Sequence, residues 1–504
     1  MIEMHYTTAT PEELQRLAAG LSTFAAPGLA VLLSGPLGAG KSVFARGFIR
    51  GLASGNAAFD IPSPTFTLVQ PYDETRIPAA HVDLYRLGAE ADLEELALEE
   101  FLRTHVLLVE WPERLGGTQI ENALHVELSG DGNEREVLLS GCGAWAPILL
   151  RNDQINQFLR KTIWNGADRQ FLEGDASFRR YEVLTSAAVP RAVLMDMHAR
   201  PDGPPVRNGK SYSAIAHLAE DIRAVVAVNT QLCSMGLSAP TSFAIDLDRG
   251  LAVIEDLGSK VFGRMRLAGD NMHEPMRAAV EVLADMAART WPARIPVDEH
   301  TTYHVPEYDL EAQLIETDLL PSWFWPYLHD QQVPQEISAD FAQAWSQILP
   351  SARAEKPVWV LRDYHSPNLL WLPERAGIRR VGLIDTQDCL LGHPAYDLAS
   401  LLQDARVDIS AKEEAELFEH YISIRAPFDN KAFAAAYAIY GAQRATKILG
   451  IFARLSKRDG KHGYLQHLPR VSRYLERNLR HMALAPVRKW YDRHLPQDMR
   501  ERGT

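Results

Sequence analysis

LAVLLSGPLGAGKSVFARGFIRGL, residues 29–52, decides the fold of the first part of the chain. Its first six residues are a continuous apolar run of strand length, the pattern of a strand buried on both faces of a parallel sheet. GPLGAGKS, residues 35–42, then matches G-x-x-x-x-G-K-[ST], and the segment behind it reads as a helix. Strand, glycine loop and helix in that order are the context this motif requires. Gly35, Gly38, Ala39 and Gly40 let the backbone fold so that its N–H groups face the α- and β-phosphates of a nucleotide. Lys41 supplies a point charge near the β- and γ-phosphates and Ser42 a hydroxyl ligand for Mg²⁺, while Val43 continues the cradle into the helix. These residues predict a nucleoside triphosphate site.

Working outward, TPEEL (10–14) signals a helix start, with Thr10 as N-cap, Pro11 at the first helical position and a glutamate three residues after the cap. TFTLVQ (65–70), HVDLY (81–85), VLLVE (106–110) and ALHVEL (123–128) read as strands, and DLEELALEEFL (92–102) as a helix. Alternating strands and helices predict an α/β layer fold. Glu110 ends an apolar strand, where a Walker-B carboxylate holds Mg²⁺; the alternative is a solvated strand end. Asp83 suits the orientation of an attacking water, or a helix N-cap. Thr65, in SPTFT, suits a γ-phosphate sensor, or plain turn chemistry beside Pro64. Nothing here recruits a phosphoryl acceptor, so ATP hydrolysis is expected.

GPLGAGKS, SPTFTLVQPY, HVDLYRL, LEELALEEFL and VEWPERL stand in the order and spacing of the TsaE family, which residues 5–140 resemble. That family is the ATPase subunit of the bacterial machinery that places threonylcarbamoyl on the adenosine beside the tRNA anticodon. The resemblance implies a P-loop domain working with the threonylcarbamoyl-transferring subunits, with ATP turnover resetting the complex. It assigns Lys41, Ser42, Thr65, Asp83 and Glu110 to nucleotide and Mg²⁺, and puts Trp111 beside the nucleotide. The departures are Pro36, where an acidic residue is common, and Ser42-Val43, where Thr-Thr or Thr-Ser is common.

The whole chain has 504 residues, 46% hydrophobic and 23% charged, which excludes disordered, collagenous and coiled-coil classes. No apolar run reaches the roughly 18 residues of a membrane span, and the start has no leader pattern. Three scattered cysteines, Cys142, Cys233 and Cys389, make no disulfide framework, so the expected compartment is the cytoplasm. Net charge is 52 − 65 = −13; residues 1–146 hold 9 basic and 20 acidic side chains (−11), leaving 43 against 45 (−2) for the rest. An acidic first part makes a poor nucleic-acid binder, so no direct tRNA binding by this chain alone is expected. GCGAWAPILLRNDQ (141–154) interrupts the pattern, which places the domain boundary at 145/146. Beyond it come FRRYEVLT and PRAVLMDMH as strands, a long helix over about 214–235, and a mostly helical region from about 270.

VLRDYHSPNLLWL (360–372) holds Asp363 and Asn368 in D-x-x-x-x-N spacing, and GLIDTQD (382–388) places Asp385 after an apolar strand. Phosphoryl transfer to a hydroxyl needs a carboxylate to align the nucleophile, plus an amide and a carboxylate holding Mg²⁺. Asp363, Asn368 and Asp385 fill those roles in order. His365 reads as a loop hydrogen-bonding group rather than a general base, Asp388 and Asp397 as structural, and Cys389 as inert. GDASFRRYEV (174–183) has the small-residue turn that suits cover of ATP phosphates.

GDASFRRY, AVLMD, IEDLG, PEYDL, LRDYHSPNLLWLPER and GLIDTQD…HPAYDLASLLQDAR resemble the aminoglycoside-phosphotransferase/choline-kinase superfamily over about 150–490, and within it the AmgK-type sugar kinases. The resemblance implies phosphorylation of N-acetylmuramate or N-acetylglucosamine at the anomeric hydroxyl, in cell-wall recycling, with ATP and Mg²⁺. One departure is that the strand expected to carry a phosphate-contacting lysine has Met195 at that position; Arg179, Arg180 or Lys210 are the candidate replacements. The expected architecture is an α/β P-loop NTPase domain (1–145) followed by an α+β protein-kinase-like, two-lobed domain (146–504), with lobes at about 150–258 and 259–504. An aminoglycoside, a choline-like alcohol or another hydroxyl compound is the alternative acceptor. One half acting as a non-catalytic nucleotide-gated binding module is the other.

Overall fold

Thr10 accepts the amide of Glu13 through its side chain and Pro11 opens the helix, so the first helix, α1, runs Pro11–Ser22 behind an edge strand β1 (Ile2–Thr8). The wholly apolar run becomes β2 (Ala30–Ser34), and α2 (Lys41–Leu52) starts at the lysine of the glycine loop. β3 (Val69–Tyr72), β4 (Ala79–Asp83), α3 (Leu98–Thr104), β5 (Val106–Glu110), β6 (Ala123–Ser129) and β7 (Arg135–Gly141) complete a seven-stranded sheet of order β1-β7-β6-β2-β5-β4-β3. The central strands β6, β2, β5 and β4 are parallel, while β1, β7 and β3 join antiparallel at the edges. Strands β4 and β5 are buried at every residue, as strands of a parallel sheet covered on both faces should be, although β4 carries His81 and Asp83.

This computed structural model describes the chain except residues 55–58, 65–66, 88–92, 94–95, 117–119, 131, 173–178, 200–201, 355, 426–427 and 503–504. Two expected elements lie partly outside the described residues. The strand expected from residue 65 starts at Val69, because Leu68 adopts φ +63°, a left-handed conformation that no strand continues through. The helix expected over 92–102 is described from Leu98, where Ala97 at φ +48° precedes it.

The described residues fall into two units, 1–198 with 243–256, and 199–242 with 257–504. In the first unit the segment at the expected domain boundary forms α4 (Trp145–Leu159). It leads to an antiparallel sheet of β8 (Asp168–Leu172), β9 (Arg180–Thr185), β10 (Ala192–Asp196), β11 (Ser242–Asp246) and β12 (Leu251–Glu255), ordered β11-β12-β10-β9-β8. In the second unit the expected long helix divides into α5 (Tyr212–Ala216) and α6 (Ile222–Ser234). His217 at φ +53° ends the first, and the Asp221 carboxylate caps the second through the amide of Arg223. Helices dominate the rest. Those used below are α7 (Leu310–Thr317), α8 (Ala395–Leu402) and the long α9 (Asn430–Asp459). Between α7 and α8 lie the short strands β13 (Val358–Val360), β14 (Leu369–Trp371), β15 (Val381–Leu383) and β16 (Leu390–Gly392), paired β13–β16 and β14–β15. No described helix is long and apolar enough to cross a membrane.

Candidate functional sites

The glycine loop lies between β2 and α2, with Gly35, Gly38 and Gly40 at φ +134°, +80° and +105°. Around Gly38 a Cβ would meet nothing within 4 Å, whereas at Gly35 it would stand 2.3 Å from the carbonyl oxygen of Leu128. The loop is therefore fixed from below and open above, which suits a phosphate chain resting on backbone amides at a helix N-terminus. Lys41 Nζ donates to the carbonyls of Gly35 (2.7 Å) and Pro36 (2.9 Å) and lies 3.7 Å from the centroid of the Trp111 ring. Burial lowers its pKa, against the pull of Glu110.

Ser42 Oγ donates to Glu110 Oε2 at 3.1 Å, and Glu110 Oε1 lies 3.0 Å from His81 Nε2. Asp83, on the next strand in register with Glu110, accepts the amide of Tyr85. Hydroxyl and carboxylate side by side at the loop fit Mg²⁺, with His81 orienting the carboxylate. Sequence reasoning missed two contributors here. One is His81, visible in HVDLY but unassigned. The other is Arg135, which donates to the loop carbonyls of Ala39 (2.8 Å) and Gly38 (3.1 Å) from 96 and 97 residues away. Thr65 lies outside the described residues.

In the second unit, Asp363 follows β13 on a loop whose backbone is clamped from both sides. Asp397, at the start of α8, accepts the amides of Leu361 (2.6 Å) and Arg362 (3.0 Å). Arg444, on α9, donates to the Arg362 carbonyl at 2.8 Å. The clamp holds Arg362 at φ +65°, a left-handed conformation a long side chain rarely takes. The Arg362 side chain is buried against Glu316 of α7, which also accepts from Lys447 (2.7 Å), Gln443 (3.0 Å) and Tyr308 (2.5 Å). Burial by itself would raise Glu316, but Lys447 and Arg362 outweigh it and hold the carboxyl at about 2. Burial likewise opposes ionisation of Asp363, and His365, Lys447, Arg444 and Arg362 overcome it, so its pKa is lowered.

Asn368 donates through Nδ2 to the Asp363 carbonyl (3.1 Å) and lies 3.2 Å from His365 Nε2, so one loop carries both residues in fixed relation. The amide of Ile384 bonds the Asn368 carbonyl at 3.1 Å, which ties the strand before Asp385 to the same loop. Asp385 itself takes φ +61°. Asn368 offers a side-chain amide oxygen and Asp385 a carboxylate, the donor types that suit Mg²⁺ beside phosphates. Asp388 accepts the amide of Ala219 at 2.7 Å. Burial lowers His365 and raises Cys389. Glu316, Arg444 and Lys447 carried no sequence signal: they reach the loop from elements 46 to 85 residues away.

The candidate replacements for a strand lysine separate clearly. Met195 pairs with Tyr181, and Asp196 with Arg180, so alternation along β9 and β10 puts Arg180 on the sheet face opposite Met195. The Arg180 guanidinium donates to Thr23 (3.0 Å) and Glu182 (2.8 Å) and lies 3.4 Å over the Phe24 ring. Arg179 precedes β9 by one residue. Lys210 lies in the second unit, 3.9 Å from Glu311. The small-residue turn at 174–178 lies outside the described residues.

Residues 8–137 match the family of threonylcarbamoyl adenosine biosynthesis protein TsaE, and residues 168–437 match the phosphotransferase enzyme family. The N-acetylmuramate/N-acetylglucosamine kinase of Caulobacter vibrioides is 37% identical over 352 residues, covering 68% of this chain and 96% of that one. The kinase of the same name from Neisseria meningitidis is 30% identical over 335 residues, 64% of this chain and 88% of that one. The tRNA threonylcarbamoyladenosine biosynthesis protein TsaE of Bacillus subtilis is 34% identical over 145 residues, 28% of this chain and 89% of that one. A phosphate-binding loop on the first sheet and a kinase loop in the second unit are what those two families lead one to expect. The chain therefore belongs to the phosphotransferase enzyme family, as an ATP-dependent phosphotransferase with a TsaE-family domain at its N-terminal end.

Proposed function

We propose that the chain is bifunctional. Its C-terminal part transfers the γ-phosphate of ATP to the anomeric hydroxyl of N-acetylmuramate or N-acetylglucosamine, in cell-wall recycling. Its N-terminal part is the ATPase of the tRNA threonylcarbamoyladenosine machinery, partnered by the threonylcarbamoyl-transferring subunits in the cytoplasm. The observation carrying the kinase reading is the Asp363–Asn368 loop, tied by hydrogen bonds and supported from α7, α8 and α9. The match to the Caulobacter kinase over nearly its whole length supports the choice of acceptor.

Asp363 aligns the acceptor hydroxyl; its oxygen attacks the γ-phosphorus, the bond to the β-phosphate oxygen breaks, and the hydroxyl proton passes to the carboxylate. Asn368 and Asp385 hold Mg²⁺, which when bound neutralises phosphate charge. Cations around Asp363 keep it ionised and able to take that proton. In the first domain Lys41 and the loop amides hold the triphosphate, Ser42 and Glu110 the Mg²⁺, and Asp83 orients water. Trp111, whose ring lies against Lys41 Nζ, would flank the bound nucleotide, and turnover there would reset the partner complex.

The test is ³¹P NMR of the chain with MgATP and either sugar, Asp363→Asn serving as control. A new sugar-phosphate signal, coupled to the anomeric proton and lost in the variant, is the expected result. No sugar phosphate, with ATP still bound, sinks the amino-sugar assignment and directs attention to aminoglycoside or choline-like acceptors.

A further inference from the structure

Two residues of the second unit's site stand in a backbone conformation that only glycine adopts freely. Arg362, next to Asp363, has φ +65°, and Asp385 has φ +61°. Left-handed residues with side chains persist only where their surroundings fix them, and they gather at functional sites. What fixes these two comes from one stretch of the same unit, Ala216 to Ser238, which holds the end of α5, the left-handed His217 and the whole of α6. Arg362 donates through Nη1 to the Ala216 carbonyl at 2.9 Å. Before Asp385, the Leu383 amide donates to the Ser238 carbonyl at 2.8 Å. After it, the Thr386 hydroxyl donates to Asn229 Oδ1 at 2.6 Å, and Asp388 accepts the Ala219 amide at 2.7 Å.

That stretch is itself anchored. Ile215 and Ala216 pack on Ile315 of α7, and Ala227, Val228 and Leu232 of α6 lie in the unit's large core. His217 Nε2 lies 3.2 Å from Asp309 Oδ2. Thr386 and Asn229 are 2% and 3% exposed, so their hydrogen bond is made out of water, and losing one partner leaves the other unsatisfied. The turn at Asp385 is therefore pinned on both sides, through Leu383 and through Thr386. The Asp363 loop joins the same support through Arg362, and the Ile384 amide ties the two together at the Asn368 carbonyl.

We propose that Asn229, acting through Thr386, is a positioning residue of the kinase: it holds Asp385 in the turn that the Mg²⁺-binding role of this aspartate requires. The proposal rests on the reading of Asp385 as a Mg²⁺ ligand. Buried as they are, Asn229 and Thr386 act through the backbone of Asp385 and not by contact with the substrate. Removing a group that orients a metal ligand costs about 10- to 100-fold in metal affinity or activity. A residue that serves packing alone leaves the metal requirement where it was.

The test compares the full wild-type chain with Thr386→Val, Thr386→Ser and the double variant Asn229→Leu/Thr386→Val. The double variant removes both partners of the bond, which is the replacement a fold tolerates best. Sugar-phosphate formation from ATP and N-acetylglucosamine is followed against free Mg²⁺. Hydrogen exchange of the Ile384 and Cys389 amides, which bond the carbonyls of Asn368 and Thr386, is read in the chain without ligands. Thr386→Val and the double variant should raise the half-saturating free Mg²⁺ about tenfold or more, leave the KM for the sugar unchanged, and speed exchange of both amides. Thr386→Ser keeps the hydroxyl and should match wild type in all three. A folded double variant with the wild-type Mg²⁺ requirement and wild-type exchange overturns the proposal while leaving the kinase reading intact. Wild type that forms no sugar phosphate is the failure of that reading itself, and the proposal falls with it.

Discussion

Gly35 and Glu316 show how single residues set each site. Gly35 combines a left-handed φ of +134° with a backbone oxygen 2.3 Å from where a Cβ would go. Gly35→Ala should distort the loop at a cost of about 1–3 kcal/mol and abolish nucleotide binding at the first site, read by titration calorimetry. Glu316 balances two buried cations, so Glu316→Gln strands Arg362 and Lys447 and should cost about 3–5 kcal/mol, read by denaturant unfolding. Its pH signature has a definite sign. A glutamate whose carboxyl falls from 4.5 to about 2 on folding stabilises fully above 4.5 and loses that contribution as pH falls toward 2. The wild type should therefore lose more Tm than Glu316→Gln across that window.

Among elements, the α1–α2 pair and α9 decide most. Gly47→Ala improves helix propensity, yet the added methyl drives into the backbone of Gln15; overpacking should win by about 1–3 kcal/mol, read as a lowered Tm. α9 reaches the Asp363 loop through Arg444, so Arg444→Met should free the Arg362 carbonyl and, on the proposed reading of Asp363, let the aligning carboxylate drift. A displacement near 1 Å can cost about 100-fold in rate, so kcat should fall toward that while KM for ATP changes little. The parts legible in sequence are those whose chemistry is contiguous: GPLGAGKS, and the 23 residues from Asp363 to Asp385, where D-x-x-x-x-N spacing is followed by an apolar strand ending in aspartate. The break between α5 and α6 was missed although Asp221 is an N-cap residue type; what no residue there reveals is that His217 will turn left-handed. The supports were not legible either. Thr23 and Glu182 stand 159 residues apart, and a strand's pattern tells which face is buried but not what buries it. For the same reason the sequence left Arg179, Arg180 and Lys210 open as alternatives, and only the pairing of β9 with β10 puts Arg180 on the face opposite Met195.

At the scale of the whole molecule, α4 settles which parts melt together. Trp145 and Leu149 on its first turns are wholly buried in the core of the P-loop domain, while Ile155, Phe158 and Leu159 lie in the core of the β8–β12 sheet. A helix cannot lose one half of its packing and keep the other ordered without fraying through its middle, where Asn152 and Arg151 bond Arg169 and Asp196. The P-loop domain and this sheet should therefore unfold in one transition, and the second unit, with its own large core, in another. Scanning calorimetry of Trp145→Ala and Phe158→Ala tests this. Each removes a buried aromatic worth about 3–5 kcal/mol, and at roughly 2–4 °C per kcal/mol for a unit of this size both should lower the same transition by about 6–20 °C. Trp345→Ala, in the core of the second unit, should lower only the other. Three separate transitions, with Trp145→Ala and Phe158→Ala acting on different ones, would make α4 a tether between independent domains rather than the shared wall of one.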